Sequence, residues 1–318
     1  MQNKFDLGFF PTPLEKLENL SSRFNEYHLY IKRDDHTGLA TGGNKTRKLE
    51  YLIFDALEKE CDTVVTCGAQ QSNHCRQTAA ACAKAGLECH LLLGGQEPVE
   101  YKGNLLLSRI FGSTIQYTGE NRKGEDISTK MDKLTENGKK PYLIPYGGSN
   151  MLGAFGYFEA VNELKNQLDK SSLKIDHIFF ATSSGGTQAG LLLGKEVFDM
   201  NFAVHGINID KAETKIPLEN SIINIMEDFR LENSSLFKNK VFEHPIIIRD
   251  YDYPGYGVIT ENEKYAIKLL AETEGILLDP VYSGRAFYGM IEILKSGSIE
   301  KGSNILFWHT GGTPAFFH

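Results

Sequence analysis

Residues 41–52 read TGGNKTRKLEYL. They set Lys45, Arg47 and Lys48 at the start of a segment whose apolar residues, Leu49, Leu52, Ile53, Ala56 and Leu57, recur at helical spacing. A helix N-terminus carries partial positive charge, so acidic residues are expected there and cations are unfavourable. A lysine held there beside two further cations has its ammonium form disfavoured by the dipole and by like charge, and both effects lower its pKa. An amine that is partly neutral near pH 7 is a nucleophile able to form an imine. The same residues would also suit a solvated basic turn, or an anion site in which the lysines bind phosphate directly.

A second segment, ATSSGGTQAGLLLG at 181–194, reads as a buried strand ending in a Ser-Ser-Gly-Gly-Thr loop, with a helix beginning near Thr187. Ser184, Gly185, Gly186 and Thr187 combine hydroxyl donors, closely approachable backbone N–H groups and a helix N-terminus, which together suit a phosphate. No lysine follows the glycines, so the loop is not a P-loop, and it is not GxGxxG. Without a ligand it would be a tight strand–helix turn. A third segment, CGAQQSNHCRQTAAA, sets Gln71, Ser72, Asn73 and His74 at another strand-to-helix junction. Side-chain donors at a helix N-terminus suit a carboxylate; the plainer reading makes Ser72 an N-cap.

Three further strand-end segments are rich in donors. EGILLDPVYSGRAFYGM turns at Asp279-Pro280 and presents Tyr282 and Ser283; WHTGGTP presents Thr310; YPGYGVIT carries Tyr256 between glycines. Each alone suits a structural role. Together, a poised amine, a phosphate cradle and a carboxylate-type loop match what pyridoxal 5'-phosphate requires: an imine lysine, a phosphate anchor, a partner for the ring nitrogen and a clamp for an amino-acid carboxylate.

The elements that must position these loops alternate for most of the chain. Strands are expected at CDTVVTCGA, CHLLLGG, KPYLIPYGG, KIDHIFFAT, NFAVHGINI, ILLDP and SNILFWH. Helices are expected at NHCRQTAAACAKAG, GNLLLSRIFG, LGAFGYFEAVNELKNQL, GGTQAGLLLGKEVF and ENEKYAIKLLAETEG. Such alternation implies an α/β fold, a parallel sheet covered by helices on both faces, with ligands bound beyond the carboxyl ends of the strands. The glycines and polar residues cluster in those loops. The least patterned stretches, about 119–140 and 211–245, read as surface excursions.

At 318 residues the chain exceeds one ordinary core. A net charge of −7 argues against general nucleic-acid binding. No apolar run reaches membrane-span length and the N-terminus lacks a signal-peptide pattern, so a cytoplasmic enzyme is expected. Five cysteines, an odd number, suit reduced thiols, with Cys75 and Cys82 on one buried helix face and no metal site.

GGNKTRKLEYL, QSNHCRQTAAA, GGSNMLGAFGY, SSGGTQAG, PGYGV, DPVYSGRA and HTGGTPAFF, running in order over nearly the whole chain, resemble the D-cysteine desulfhydrase and 1-aminocyclopropane-1-carboxylate (ACC) deaminase family. These are pyridoxal-phosphate enzymes of the tryptophan-synthase-β fold type (fold type II). The resemblance implies a large cofactor-binding domain, residues 1–49 and 158–318, with a small domain, 50–157, inserted into it, and a homodimer. It implies Lys45 as the Schiff-base lysine, Ser184 to Thr187 as the phosphate loop and Asn73 on the cofactor's ring hydroxyl. Gln71, Ser72 and His74 would face the substrate carboxylate or leaving group. Tyr282 would lie against the ring and Tyr256 on the substrate side, with Ser283 or Thr310 near the ring nitrogen.

ACC deaminases carry glutamate where this chain has Ser283, and they lack its form of GGSN…LGAFGY; both departures favour β-elimination. The expected reaction converts D-cysteine to pyruvate, hydrogen sulfide and ammonia, with Lys45 removing the α-proton. L-cysteate sulfo-lyase, releasing sulfite, is the alternative, then ACC deaminase. From a different class, a non-catalytic ligand binder has no need of Lys45. A nicotinamide enzyme is disfavoured by the missing GxGxxG.

Overall fold

Central strands buried on both faces read as continuous apolar runs, and two such strands organise this molecule. The structure, a computed structural model, describes residues 3–211, 216–237, 240, 242–253 and 255–317. In chain order its strands are β1 (Leu14–Lys16), β2 (His28–Arg33), β3 (Thr63–Gly68), β4 (Glu88–Leu93), β5 (Thr114–Tyr117), β6 (Pro141–Leu143), β7 (His177–Thr182), β8 (Ala203–Asn208), β9 (Ile246–Ile248) and β10 (Asn304–His309). The helices are α1 (Glu18–Arg23), α2 (Lys45–Glu58), α3 (Asn73–Ala85), α4 (Gly103–Ile110), α5 (Ile127–Glu136), α6 (Met151–Ser171), α7 (Gly186–Val197), α8 (Leu218–Glu232), α9 (Glu261–Glu274) and α10 (Ser283–Lys295).

The strands form two sheets. A six-stranded sheet runs β1-β2-β10-β7-β8-β9, antiparallel only at β1–β2, and a four-stranded parallel sheet runs β5-β4-β3-β6. Helices cover both faces of the larger sheet: α6, α7 and α8 bury one core and α1, α9 and α10 the other. The smaller sheet packs α2, α3 and α4 on one side and α5 on the other. We take β3 to β6 with their helices as the inserted unit; the junctions 49/50 and 157/158 lie inside α2 and α6. No helix among the described residues is long and apolar enough to cross a membrane.

Two expectations are corrected. The polar stretches contain helices, α5 and α8, and the latter buries Ile222, Ile225, Met226 and Phe229 at amphipathic spacing. Residues 212–215, 238–239 and 241, also in the second stretch, lie outside the described residues, as does Pro254 of YPGYGVIT. ILLDP joins no sheet. The Leu277 carbonyl instead accepts a bond from His309 Nε2 at 2.9 Å, and the Asp279 N–H is taken by Ser283 Oγ at 2.8 Å.

The cysteines are free thiols. Cys67, Cys75, Cys82 and Cys89 are buried, and Cys75 and Cys82 share α3 and one core.

Candidate active site

Loops from the carboxyl ends of β3 and β6 in the small sheet and β7 and β10 in the large one meet at an open cleft. Of the residues singled out in the sequence, Lys45, Ser72, Asn73, His74, Ser184, Gly185, Thr187, Tyr256, Tyr282 and Thr310 line it. Gln71, Gly186 and Ser283 do not line it.

Lys45 opens α2, whose first turn contains no acidic residue and whose N-cap, Asn44, makes no side-chain cap. Its Nζ donates to the Gly147 carbonyl at 3.2 Å, and Lys48 Nζ donates to the same oxygen at 3.2 Å. Gly147 and Gly148 make this acceptor available by adopting φ values of 66° and 60°, the left-handed region open to glycine. Burial pulls the Lys45 ammonium down to about 8. Burial, and then the neighbouring Lys45 charge, push Lys48 well below its ordinary value. The depression is therefore mainly a desolvation effect.

Arg47 does not supply the cationic field expected of it. Its guanidinium points into the core, where Nε and Nη2 meet Asp34 at 2.9 and 2.8 Å and Nη1 meets Glu163 at 3.0 Å. Asp34 also accepts from Tyr157 Oη at 2.7 Å and Trp308 Nε1 at 2.8 Å. With Lys32 bonded to Glu163, two cations and two carboxylates balance. Arg47 anchors the helix rather than charging the cleft.

The Ser/Gly loop after β7 gains from elsewhere the cation it lacks. Ser149 Oγ accepts from Gly186 N at 3.2 Å, bonds Ser184 Oγ at 2.8 Å and receives Lys48 Nζ at 3.3 Å. Asn44 Nδ2 reaches Thr187 Oγ1 at 3.2 Å, joining the lysine loop to α7. Ser149 was not read from sequence as part of the cradle, and Lys48 only through the alternative in which the lysines of its segment bind phosphate directly. The clue lay in GGSN, a glycine-rich strand-end loop. A Cβ on Gly186 would stand 2.8 Å from Ser149 Oγ and 2.9 Å from Lys48 Nζ, so the cradle has no room for a side chain there.

At the β3–α3 junction, Ser72 caps α3, accepting from Cys75 N at 3.2 Å, and still lines the cleft. His74 Nε2 pairs with Thr66 Oγ1 at 2.9 Å, while its buried Nδ1 lacks a partner among the described residues. Burial and then the two lysine charges hold the imidazole neutral. Gln71 is turned away: its Nε2 donates to the Lys102 carbonyl at 3.2 Å and its Oε1 accepts from Asn104 N at 2.9 Å.

Across the cleft, Tyr256 and Tyr282 share a 2.7 Å hydroxyl–hydroxyl bond, their rings edge to face at 5.8 Å. Burial raises both phenols. Ser283 Oγ is bonded to Asp279 Oδ1 at 2.7 Å, which leaves Thr310, of the two hydroxyls expected near the ring nitrogen, as the one in the lining.

The donor set fits pyridoxal phosphate: an amine of lowered pKa, a hydroxyl cradle with a lysine at a helix N-terminus, and an imidazole nitrogen, orphaned among the described residues, near both lysines. Comparison with known proteins agrees. Residues 5–311 match the family model described as pyridoxal-phosphate dependent enzyme. The D-cysteine desulfhydrase of Klebsiella pneumoniae is 39% identical over 96% of this chain and 93% of its own length. The ACC deaminase of Bradyrhizobium diazoefficiens is 38% identical over 98% and 95%. A crystal structure described as an ACC deaminase homologue superposes with a TM-score of 0.90 at 38% identity, covering 99% of this chain and 94% of that one. With an amine, a cradle and full-length relatives in agreement, the chain belongs to the pyridoxal-phosphate dependent enzyme family, whose cofactor supplies the chemistry of this cleft.

Proposed function

We propose that this enzyme is a lyase that eliminates the β-substituent of a small amino acid, with D-cysteine as substrate and pyruvate, hydrogen sulfide and ammonia as products. The observation that carries this reading is that Lys45 shares one cleft with the loop after β7 and the N-terminus of α3, its Nζ on the same carbonyl as the Lys48 of the cradle. Bound pyridoxal phosphate would draw electrons from Cα, making its proton removable.

Lys48, Ser149, Ser184, Gly186 N and Thr187 would hold the phosphate. Asn73 would meet the ring hydroxyl, and Thr310 would face the ring nitrogen without charging it. Ser72 and the α3 N–H groups would hold the substrate carboxylate. Lys45 Nζ would take the α-proton, and the Cα–H electron pair would form the Cα=Cβ bond as the Cβ–S bond breaks and its electrons leave with sulfur. The released aminoacrylate would take up water to give pyruvate and ammonia. Tyr256 and Tyr282 stay protonated at neutral pH, and with one hydrogen engaged between them the other phenolic hydrogen is available to the departing sulfide.

Sulfide is favoured over sulfite because Lys45 is the one lysine or arginine in the described lining and Lys48, behind it, is committed to the phosphate cradle, which leaves no further cation to receive a sulfonate. Elimination is favoured over ACC ring opening because Ser283, where ACC deaminases carry glutamate, is committed to Asp279. We further expect a homodimer and a cytoplasmic location. A substrate panel tests the assignment. The wild type should be yellow, should lose that absorbance in Lys45→Ala, and should release sulfide and pyruvate from D-cysteine. Turnover of L-cysteate or ACC in its place would move the assignment, and a protein that never takes up the cofactor would overturn it.

A further inference from the structure

Arg76 is wholly buried on α3 and makes no ion pair with a carboxylate among the described residues. Its Nη1 donates to Asn73 Oδ1 at 2.8 Å and to Asn104 Oδ1; Nη2 donates to the Gly42 carbonyl at 2.9 Å, and Nε has no partner among the described residues. Burial lowers the guanidinium to about 9, with the Asp279 charge opposing. That carboxylate is itself bonded by the N–H groups of Val281, Tyr282 and Ser283. A buried cation without a partner is costly, and such a cost is tolerated where charge serves a site.

The direction of these bonds carries the inference. Guanidinium has donors only, so the atoms of Asn73 and Asn104 facing it must be oxygens. Asn104 Nδ2 adds a second donor to Asn73 Oδ1 at 3.0 Å and holds the Gln71 carbonyl at 2.8 Å. Asn73 therefore has its amide oxygen doubly engaged inside the protein, while its Nδ2 makes no hydrogen bond among the described residues, and the residue lines the cleft. We propose that Arg76 is a positioning residue: it locks the Asn73 amide with its NH₂ toward the cleft and strengthens that donor toward an anionic oxygen on the bound cofactor. The charge draws electron density through the amide, a cooperative gain available in a chain of hydrogen bonds with a charged end.

This inference rests on the reading of Asn73 as a cofactor contact. The test loads Arg76→Met, Arg76→Lys, Asn73→Ala and the double variant Asn73→Ala/Arg76→Met with pyridoxal phosphate. It reads the cofactor dissociation constant and the pH midpoint of its visible absorbance. Arg76→Met should weaken cofactor binding about tenfold or more and raise the midpoint, because the anionic form loses a charge-assisted donor. Neither change should appear when the same substitution is made in Asn73→Ala. Arg76→Lys should fall between Arg76→Met and wild type, and it decides the matter if Arg76→Met does not fold. Unchanged midpoint and affinity in a folded Arg76 variant, or equal shifts with and without Asn73, would overturn the proposal. A wild type that never turns yellow sinks both readings, whereas a yellow wild type with unmoved Arg76 variants sinks this one alone.

Discussion

Lys45 and Lys48 converge on one acceptor, the Gly147 carbonyl, each with its Nζ 3.2 Å away. Two buried ammonium groups on one oxygen repel, so the site resists holding both protons. The expected consequence is a shift in how the cofactor-free protein reacts with pyridoxal phosphate: imine formation, followed by visible absorbance, should rise through a pH near 8 rather than 10.5. The linkage has a definite sign. The unfolded chain binds the Lys45 proton more tightly, so this group destabilises the cofactor-free fold below pH 8 and releases that penalty as pH climbs toward 10.5. A rate profile still centred near 10.5 would remove the basis for Lys45 as a tuned amine.

Ser149 connects that lysine pair to the loop after β7, so its hydroxyl should matter to cofactor affinity more than to fold. Ser149→Ala removes the acceptor used by Gly186 N and Lys48 Nζ, and should weaken cofactor binding about tenfold, the order of a lost hydrogen bond to a charged group. Lys48→Met should cost more, since the cradle then loses its lysine donor, the group that a bound phosphate would draw into its protonated form and pair with. Fluorescence titration with pyridoxal phosphate, beside thermal melts of the cofactor-free variants, separates the two effects; melts that fall as steeply as affinity would make Ser149 merely structural.

The strand–loop–helix units carrying Ser72 to His74 and Ser184 to Thr187 were legible because each lies within one local pattern, an apolar strand, a Gly/Ser turn and a periodic helix. What escaped is non-local. Arg47 looked like part of a charged turn because Asp34 and Glu163, its actual partners, lie far from it along the chain. Ser149 became meaningful only when the β6 and β7 loops met. Helix α8 was hidden by its polar composition, although Ile222, Ile225, Met226 and Phe229 display helical spacing. ILLDP has the composition of a strand, yet the His309 side chain took the Leu277 carbonyl. Side-chain capture of a backbone group leaves no periodic trace.

At Gly156 of α6 the helix bearing Lys45 comes into close backbone contact with its neighbour. A Cβ there would lie 2.3 Å from the Arg47 carbonyl oxygen and 2.9 Å from Lys48 N, both backbone atoms that cannot swing aside. Gly156→Ala should therefore lower stability by about 1–3 kcal/mol through overpacking. It should also weaken cofactor binding beyond that of a control with the same melting temperature, because α2 shifts with Lys45 and Lys48 on it. Cofactor affinity equal to the control would show that α2 does not transmit the strain.

Asp34 is the centre of the buried network beneath α2. Burial opposes its ionisation, but the Arg47 charge and hydrogen bonds outweigh that and hold its carboxyl at about 2. A depressed acid contributes stability that is present above its unfolded value of 3.8 and lost as pH falls toward 2. Asp34→Asn leaves Arg47 and Lys32 with one carboxylate between them, and should cost about 3–5 kcal/mol at neutral pH. Acid titration of stability should be shallower in the variant over that window. A variant as stable as wild type would mean that the network's desolvation cost cancels its attraction.

Arg285 clamps the loop that carries Tyr256. Its Nη1 donates to the Gly255 and Ile209 carbonyls, each at 2.9 Å, Nη2 to the Val258 carbonyl at 2.7 Å and Nε to Glu263 Oε1 at 2.6 Å. The carbonyls on both sides of Tyr256 are thereby held to α10, the helix that begins immediately after Tyr282, which fixes the phenol pair at 2.7 Å. Arg285→Lys keeps the charge but cannot span three carbonyls and a carboxylate, so kcat should fall about tenfold while KM changes less. Tyr256→Phe should lower kcat on its own, and adding Arg285→Lys to it should then cost little more, because the clamp acts through the hydroxyl it positions. Fully additive losses in the double variant would show that Arg285 supports the fold without serving Tyr256.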